Sequence, residues 1–167
     1  MQYPKRVTIE LTNCCNRKCL GCPRHKMMYP QGYMTPELYR KIINELPPET
    51  VVVPFYRGES LLHRDFPEFM GLLKKFKTVQ LATNGDYLTR INQQAILNNI
   101  SFLSISLHDY RLPNRTNYLP FLKECRDKGL TTQVSILETL ATESKRKQFK
   151  HMWLKHVDRV RIYKEHS

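Results

Sequence analysis

The chain is poor in several things, and each shortage excludes a class of protein. Nowhere in its 167 residues is there a run of about 18 apolar residues, which a membrane-spanning helix needs. The N-terminal "MQYPKRVTIELTN" has no apolar stretch of signal-peptide length, which predicts a cytoplasmic protein with no membrane partner. Acidic side chains are scarce: 15 Asp and Glu face 27 Lys and Arg, a formal charge of +12. Such a surface attracts polyanions and makes RNA a partner to consider. Repeats, low-complexity tracts and evident linkers are absent, and the length predicts a single domain over 1–167. Cysteine is sparse too, yet four of the five fall together in "CCNRKCLGC", 14–22. In a reducing compartment that density reads as a metal site or reactive thiols before it reads as a disulfide framework. Cys125, alone in a predicted helix, reads as packing.

What is present is a regular alternation. Strand-length apolar runs lie at 6–12, 50–57, 78–84, 101–108, 131–138 and 158–164, with helical patterns near 35–46, 65–76, 88–99, 117–128 and 143–157. Thr35 followed by Pro36 marks a helix start, Asp65 with Glu68 another, and Gly129 a helix end. Six strands alternating with five helices predict a parallel sheet built from βαβ units. The cations Lys145, Arg146, Lys147, Lys150 and Lys155 share a segment with the apolar stripe Phe149, Met152, Trp153 and Val157, which predicts a solvated helix face.

The strands alternate in a way that narrows the architecture. Val7, Ile9 and Leu11 alternate with Thr8, Glu10 and Thr12; Leu103, Ile105 and Leu107 with Ser104, Ser106 and His108; Val134 and Ile136 with Gln133 and Ser135; Val160 and Ile162 with Arg159, Arg161 and Tyr163. A sheet buried on both faces would be apolar on both parities. One polar parity predicts a partial (β/α)6, TIM-like three-quarter barrel, with helices outside and a solvated lumen inside. Only "VVVPF" in the second strand breaks the alternation.

Cys15, Cys19 and Cys22, spaced C-x3-C-x2-C just past the first strand, let three thiolates converge from one loop. Two readings are open from the residues alone. Zinc would take a fourth ligand from Cys14 or His25 and give a metal-stabilised binding module. A cubane iron–sulfur cluster would leave one iron open to an exogenous ligand.

The segment "ELTNCCNRKCLGC", 10–22, resembles the cluster loop of the radical S-adenosylmethionine (SAM) enzymes. "RGES", 57–60, resembles that family's Gly-Gly-Glu motif, "ATNG", 82–85, its Thr-Asn-Gly segment, and "SISLHD", 104–109, its Ser-rich fourth strand ending. These landmarks fall at consecutive strand ends, where barrel enzymes place functional residues. The resemblance implies that Cys15, Cys19 and Cys22 hold a 4Fe–4S cluster whose fourth iron binds SAM, with Cys14 left over. Cleavage of SAM would yield a 5′-deoxyadenosyl radical that abstracts hydrogen from substrate. Gly58 would lie close to the methionine moiety and Glu59 would accept from its ammonium group. Leu20 would approach adenine, Ser106 and Ser135 the ribose, and Asn84 either the lumen or a turn. Arg161 would meet a carboxylate of SAM or substrate. His108 and Tyr163 are the candidate catalytic groups.

The chain most resembles the peptide and protein maturases, without their cysteine-rich SPASM or twitch extension. A bare core needs a large substrate to cover its mouth, so the expected substrate is a peptide or protein, and the expected electron donor a flavodoxin or ferredoxin. An RNA-modifying enzyme and a glycyl-radical activase are the alternatives.

Overall fold

The computed structural model describes residues 3–19, 22–107, 113, 117–138 and 141–164, and in them the alternation becomes a parallel α/β fold. The order is β1 (Arg6–Thr8), α1 (Pro36–Glu45), β2 (Val51–Val53), α2 (Phe66–Gly71), β3 (Gln80–Thr83), α3 (Arg90–Asn99), β4 (Phe102–Ser106), α4 (Leu119–Asp127), β5 (Thr131–Leu137), α5 (Glu143–Trp153) and β6 (Arg159–Tyr163). Every strand pair is parallel. The order β1-β2 forms one sheet and β3-β4-β5-β6 a second; a lone bridge between Val52 and Val79 joins them. The described strands form no closed barrel, as a three-quarter barrel requires.

The first two strands are shorter than their apolar runs. Pro54 lacks the N–H that would extend β2, so the ladder with β1 ends one bond later, where Ile9 donates to the Val53 carbonyl at 2.9 Å. Beyond it, Thr12 pairs antiparallel with Tyr33, and Met34 donates to the Leu11 carbonyl. That detour starts the cysteine loop. The expected 65–76 helix is likewise split into α2 and a 3-10 turn over Leu72–Lys75.

Most helix ends follow their sequence signals. Thr35, Thr89 and Thr142 accept hydrogen bonds from Leu38, Asn92 and Lys145, satisfying N–H groups that have no partner within the helix. Gly129 takes φ +77° after α4. Asp65 departs from expectation, because its side chain makes no capping bond.

The apolar parity packs outward on the helices: Leu81, Leu103, Ile105, Val134 and Ile136 are buried with Phe121, Phe149 and Trp153. Each such side chain contributes about 1.5–3 kcal/mol relative to exposure. Under β1 and β2, Tyr39 stacks on Phe69 with ring centroids 4.2 Å apart. On α5, Phe149 and Trp153 are buried while Lys145, Lys147 and Lys150 are exposed, so these cations form a solvated face.

Candidate active site

The polar parity builds a lumen. Register sets Ser104, Gln133 and Arg159 side by side on β4, β5 and β6, and sets Ser106, Ser135 and Arg161 in the next inward row. Gln133 donates to Ser104 Oγ at 3.0 Å, and the hydroxyls of Ser106 and Ser135 are 3.2 Å apart. Polar side chains at these depths are tolerated because each finds a lateral partner. With Arg6, Phe55, Gln80, Phe102 and Tyr163 among the other lining residues, they enclose a cavity of about 510 Å³.

The cysteine loop lies over the C-terminal ends of the first three strands, held there by a network. Arg17 makes a forked contact with Asp86, and Asn16 Nδ2 donates to the same carboxylate at 2.7 Å. Asn84 Nδ2 donates to Asn16 Oδ1 at 2.8 Å and lies 4.0 Å from Cys15 Sγ, while its Oδ1 accepts from the Asp86 N–H. Asn84 is therefore a residue of the turn after β3 that also contacts the cysteine loop. The Asp86 partnership raises the Arg17 guanidinium above its usual range, chiefly through the hydrogen bond. Sequence reasoning missed Asn16, Arg17 and Asp86.

Gly58 and Glu59 serve the loop as well. A Cβ on Gly58 would stand 2.0 Å from the Thr12 carbonyl oxygen and 2.6 Å from that of Cys14. The missing side chain thus admits the cysteine loop itself, and the Glu59 N–H donates to the Cys14 carbonyl at 2.8 Å. The Glu59 carboxylate is buried and engaged by protein donors: Oε1 accepts from Leu61 N–H at 3.1 Å and Thr83 Oγ1 at 2.8 Å, and Oε2 from Asn84 N–H at 2.8 Å. Burial pushes this carboxyl up, against the lowering effect of those bonds. Glu10, expected inside the lumen, accepts from the Arg57 N–H, and Thr12 donates to the Gly32 carbonyl.

Cys15, Cys19 and Cys22 are all half-buried, and none of the five cysteines forms a disulfide. Burial pushes the Cys19 thiol up, and Cys15 and Cys22 push it the same way, so the three thiols are electrostatic neighbours. Among the described residues no three Cys, His, Asp or Glu side chains converge on one metal ion. A cubane makes no such demand, because each thiolate binds a different iron. Arg24 Nε, beside this loop, is buried without an acceptor among the described residues, a donor that an anionic cluster would satisfy. The residues fit a cluster. Leu20, His108 and the His25 side chain lie outside the described residues.

A parallel three-quarter barrel with a thiol loop over its strand ends and a polar lumen is the architecture of a cofactor-dependent barrel enzyme. The model of the Radical SAM superfamily matches residues 9–141, and the chain belongs to that superfamily of enzymes. Its cofactors are a 4Fe–4S cluster and S-adenosylmethionine. Among solved structures it is similar to Streptococcus suis SuiB bound to precursor peptide SuiA, at 13% identity and TM-score 0.75, over 98% of this chain and 40% of that one. It is similar to anSMEcpe with bound AdoMet at 16% identity and TM-score 0.69, over 97% and 51% of the two chains. BtrN in an open conformation matches at 24% identity and TM-score 0.55, over 64% and 51%. The chain thus spans about two fifths to half the length of these proteins. No curated protein sequence matches it. Among the described residues no helix is long and apolar enough to cross a membrane.

Proposed function

We propose that the chain is a single radical SAM core domain, cytoplasmic as its free thiols suit, that cleaves SAM and takes hydrogen from a peptide or protein substrate. The observation that carries this reading is a parallel partial barrel that bears one loop of three neighbouring thiols on the ends of β1 to β3 and has a polar lumen inside. When bound, the reduced cluster supplies the electron that breaks the sulfonium bond of SAM, giving methionine and a 5′-deoxyadenosyl radical. The chain's own task is positioning. Cys15, Cys19 and Cys22 hold the cluster, Asn84 reaches Cys15, and Glu59 locks the β3 end beneath them. The hydroxyls of Ser106 and Ser135 hold the ribose, and Tyr163 faces substrate from the open edge. A flavodoxin or ferredoxin supplies the electron. SuiB with its precursor peptide and anSMEcpe with a Cp18Cys peptide support a polypeptide substrate.

Anaerobic reconstitution with iron and sulfide, followed by reduction in the presence of SAM, tests the reading. The expected products are 5′-deoxyadenosine and methionine. Cys14→Ala retains iron, whereas replacing Cys15, Cys19 or Cys22 loses most of it. Zinc bound without sulfide, or a cluster that depends on Cys14, overturns the assignment.

A further inference from the structure

Three arginines border the lumen cavity. Arg6 comes from β1, and Arg159 and Arg161 come from successive inward positions of β6. Among the described residues the cavity lining contains no carboxylate, and none of the three arginines has an acidic partner. Two of them rest on aromatic faces: Arg159 lies over Phe102 at 5.7 Å and Arg161 over Tyr163 at 5.9 Å from the ring centroids. Such stacking orients a guanidinium and leaves its edge N–H groups for a planar anion, which lysine would not do. The remaining polar side chains of the two rows, Ser104 with Gln133 and Ser106 with Ser135, satisfy one another. The cavity therefore offers unspent positive charge, concentrated where the barrel is open.

The opening also has a backbone. Among the described residues β6 pairs only with β5, and its other edge presents N–H and C=O groups with no partner there along the cavity. An extended polypeptide complements such an edge through main-chain hydrogen bonds, with alternate side chains turned into the lumen. A nucleic acid has no backbone N–H and C=O groups to match such a strand edge.

We infer that the lumen admits an extended acidic peptide segment along the free edge of β6, its carboxylates held by Arg159 and Arg161 with Arg6 on the facing wall. This deepens the proposed function by naming the substrate class: a polypeptide with Asp or Glu beside the modified residue.

The test uses the full chain, reconstituted and SAM-bound, with fluorescein-labelled Gly-Ser peptides carrying several glutamates, glutamines or lysines, read by anisotropy at physiological salt. The glutamate peptide binds about tenfold or more tighter than the glutamine peptide, a contrast of the size that complementary charge produces. Arg159→Gln with Arg161→Gln abolishes that preference, and Arg161→Glu shifts it toward the lysine peptide. Lys145→Gln with Lys150→Gln removes the same charge from the outer face of α5 and keeps the preference; melting curves verify that each variant folds. If both pairs of substitutions weaken binding equally, only net charge matters, the lumen arginines merely guard an edge strand, and the inference falls. It falls too if Arg161→Gln weakens SAM binding and spares the glutamate peptide, or if polyuridylate binds tighter than that peptide in a way the lumen variants abolish. Failure of the wild-type protein to cleave SAM would instead sink the proposed function and leave this binding contrast intact.

Discussion

Arg17 and Asp86, 69 residues apart in sequence, form a forked ion pair that fastens the cysteine loop to the turn after β3. The guanidinium is 22% exposed and the carboxylate 35%, and Asn16 adds a third hydrogen bond to the same acid. A surface ion pair contributes little, but a half-buried, bidentate one with a shared acceptor holds a geometry.

Asp86→Ala therefore costs about 1–3 kcal/mol, the usual loss for hydrogen bonds to a charged group, and loosens the loop more than the fold. Thermal unfolding measures the first effect. Iron release to a chelator from reconstituted protein measures the second, and it should accelerate severalfold. An unchanged release rate would show that the loop holds itself.

Gly58→Ala should be severely destabilising. Its Cβ would meet two backbone carbonyl oxygens, those of Thr12 and Cys14, and neither can rotate away as a side chain could. A loss of about 3 kcal/mol or more is expected, at or above the top of the usual overpacking cost because the obstructing atoms are backbone. A variant that melts within a few degrees of the wild type would mean that the loop stands farther from Gly58.

For Glu59 the expectation concerns pH. The folded carboxyl holds its proton more tightly than the ordinary glutamate value of 4.5, so unfolding releases a proton in that window. Its contribution to stability is accordingly largest below 4.5 and declines as pH rises through the raised folded value, with no further change above it. Glu59→Gln lacks that component, and subtracting melting profiles of the two proteins isolates it. The amide also turns an N–H toward the Asn84 N–H or the Thr83 hydroxyl, so the variant is about 1–3 kcal/mol less stable at neutral pH if Asn84 loses its acceptor. A difference profile that is flat with pH would show Glu59 to be ordinary.

Cys125 should be chemically silent. It is fully buried on the inner face of α4, and burial with the neighbouring Glu124 pushes its thiol up to about 12. Counting thiols with a disulfide reagent on cluster-free protein should give four in the native state and five after denaturation, because the other four are half-buried. Five rapidly reacting thiols in the native state would contradict the packing.

The parts of this structure legible in the sequence are those governed by short periods. The alternation of Leu103, Ile105 and Leu107 with Ser104 and Ser106 showed which side of β4 faces helices, and the Thr35 cap and the Gly129 helix end follow from local backbone chemistry. The family motifs located the cysteine loop, Gly58 and Asn84. Their roles were less legible. The resemblance implied a ligand for an ammonium group at Glu59 but not that its oxygens accept from Leu61, Thr83 and Asn84, as a carboxylate buried between two strand ends must. Asn16, Arg17 and Asp86 carry no periodic signal, since their pairing is set by the placement of whole strands. The strand expected over 50–57 ran through Pro54, so neither the halt of β2 there nor its consequence for the neighbouring β1 was read from the sequence.

The long sequence gap within the Arg17–Asp86 pair bears on how the protein is made. Synthesis runs from the N-terminus, so the three cysteines leave the ribosome before the turn that anchors their loop has been translated. Glu59, which clasps that turn, likewise precedes Thr83 and Asn84 by 24 and 25 residues. Through that interval the loop has only its ties to the segments around Gly32 and Glu59, and the seat for the cluster is completed only when Asp86 arrives.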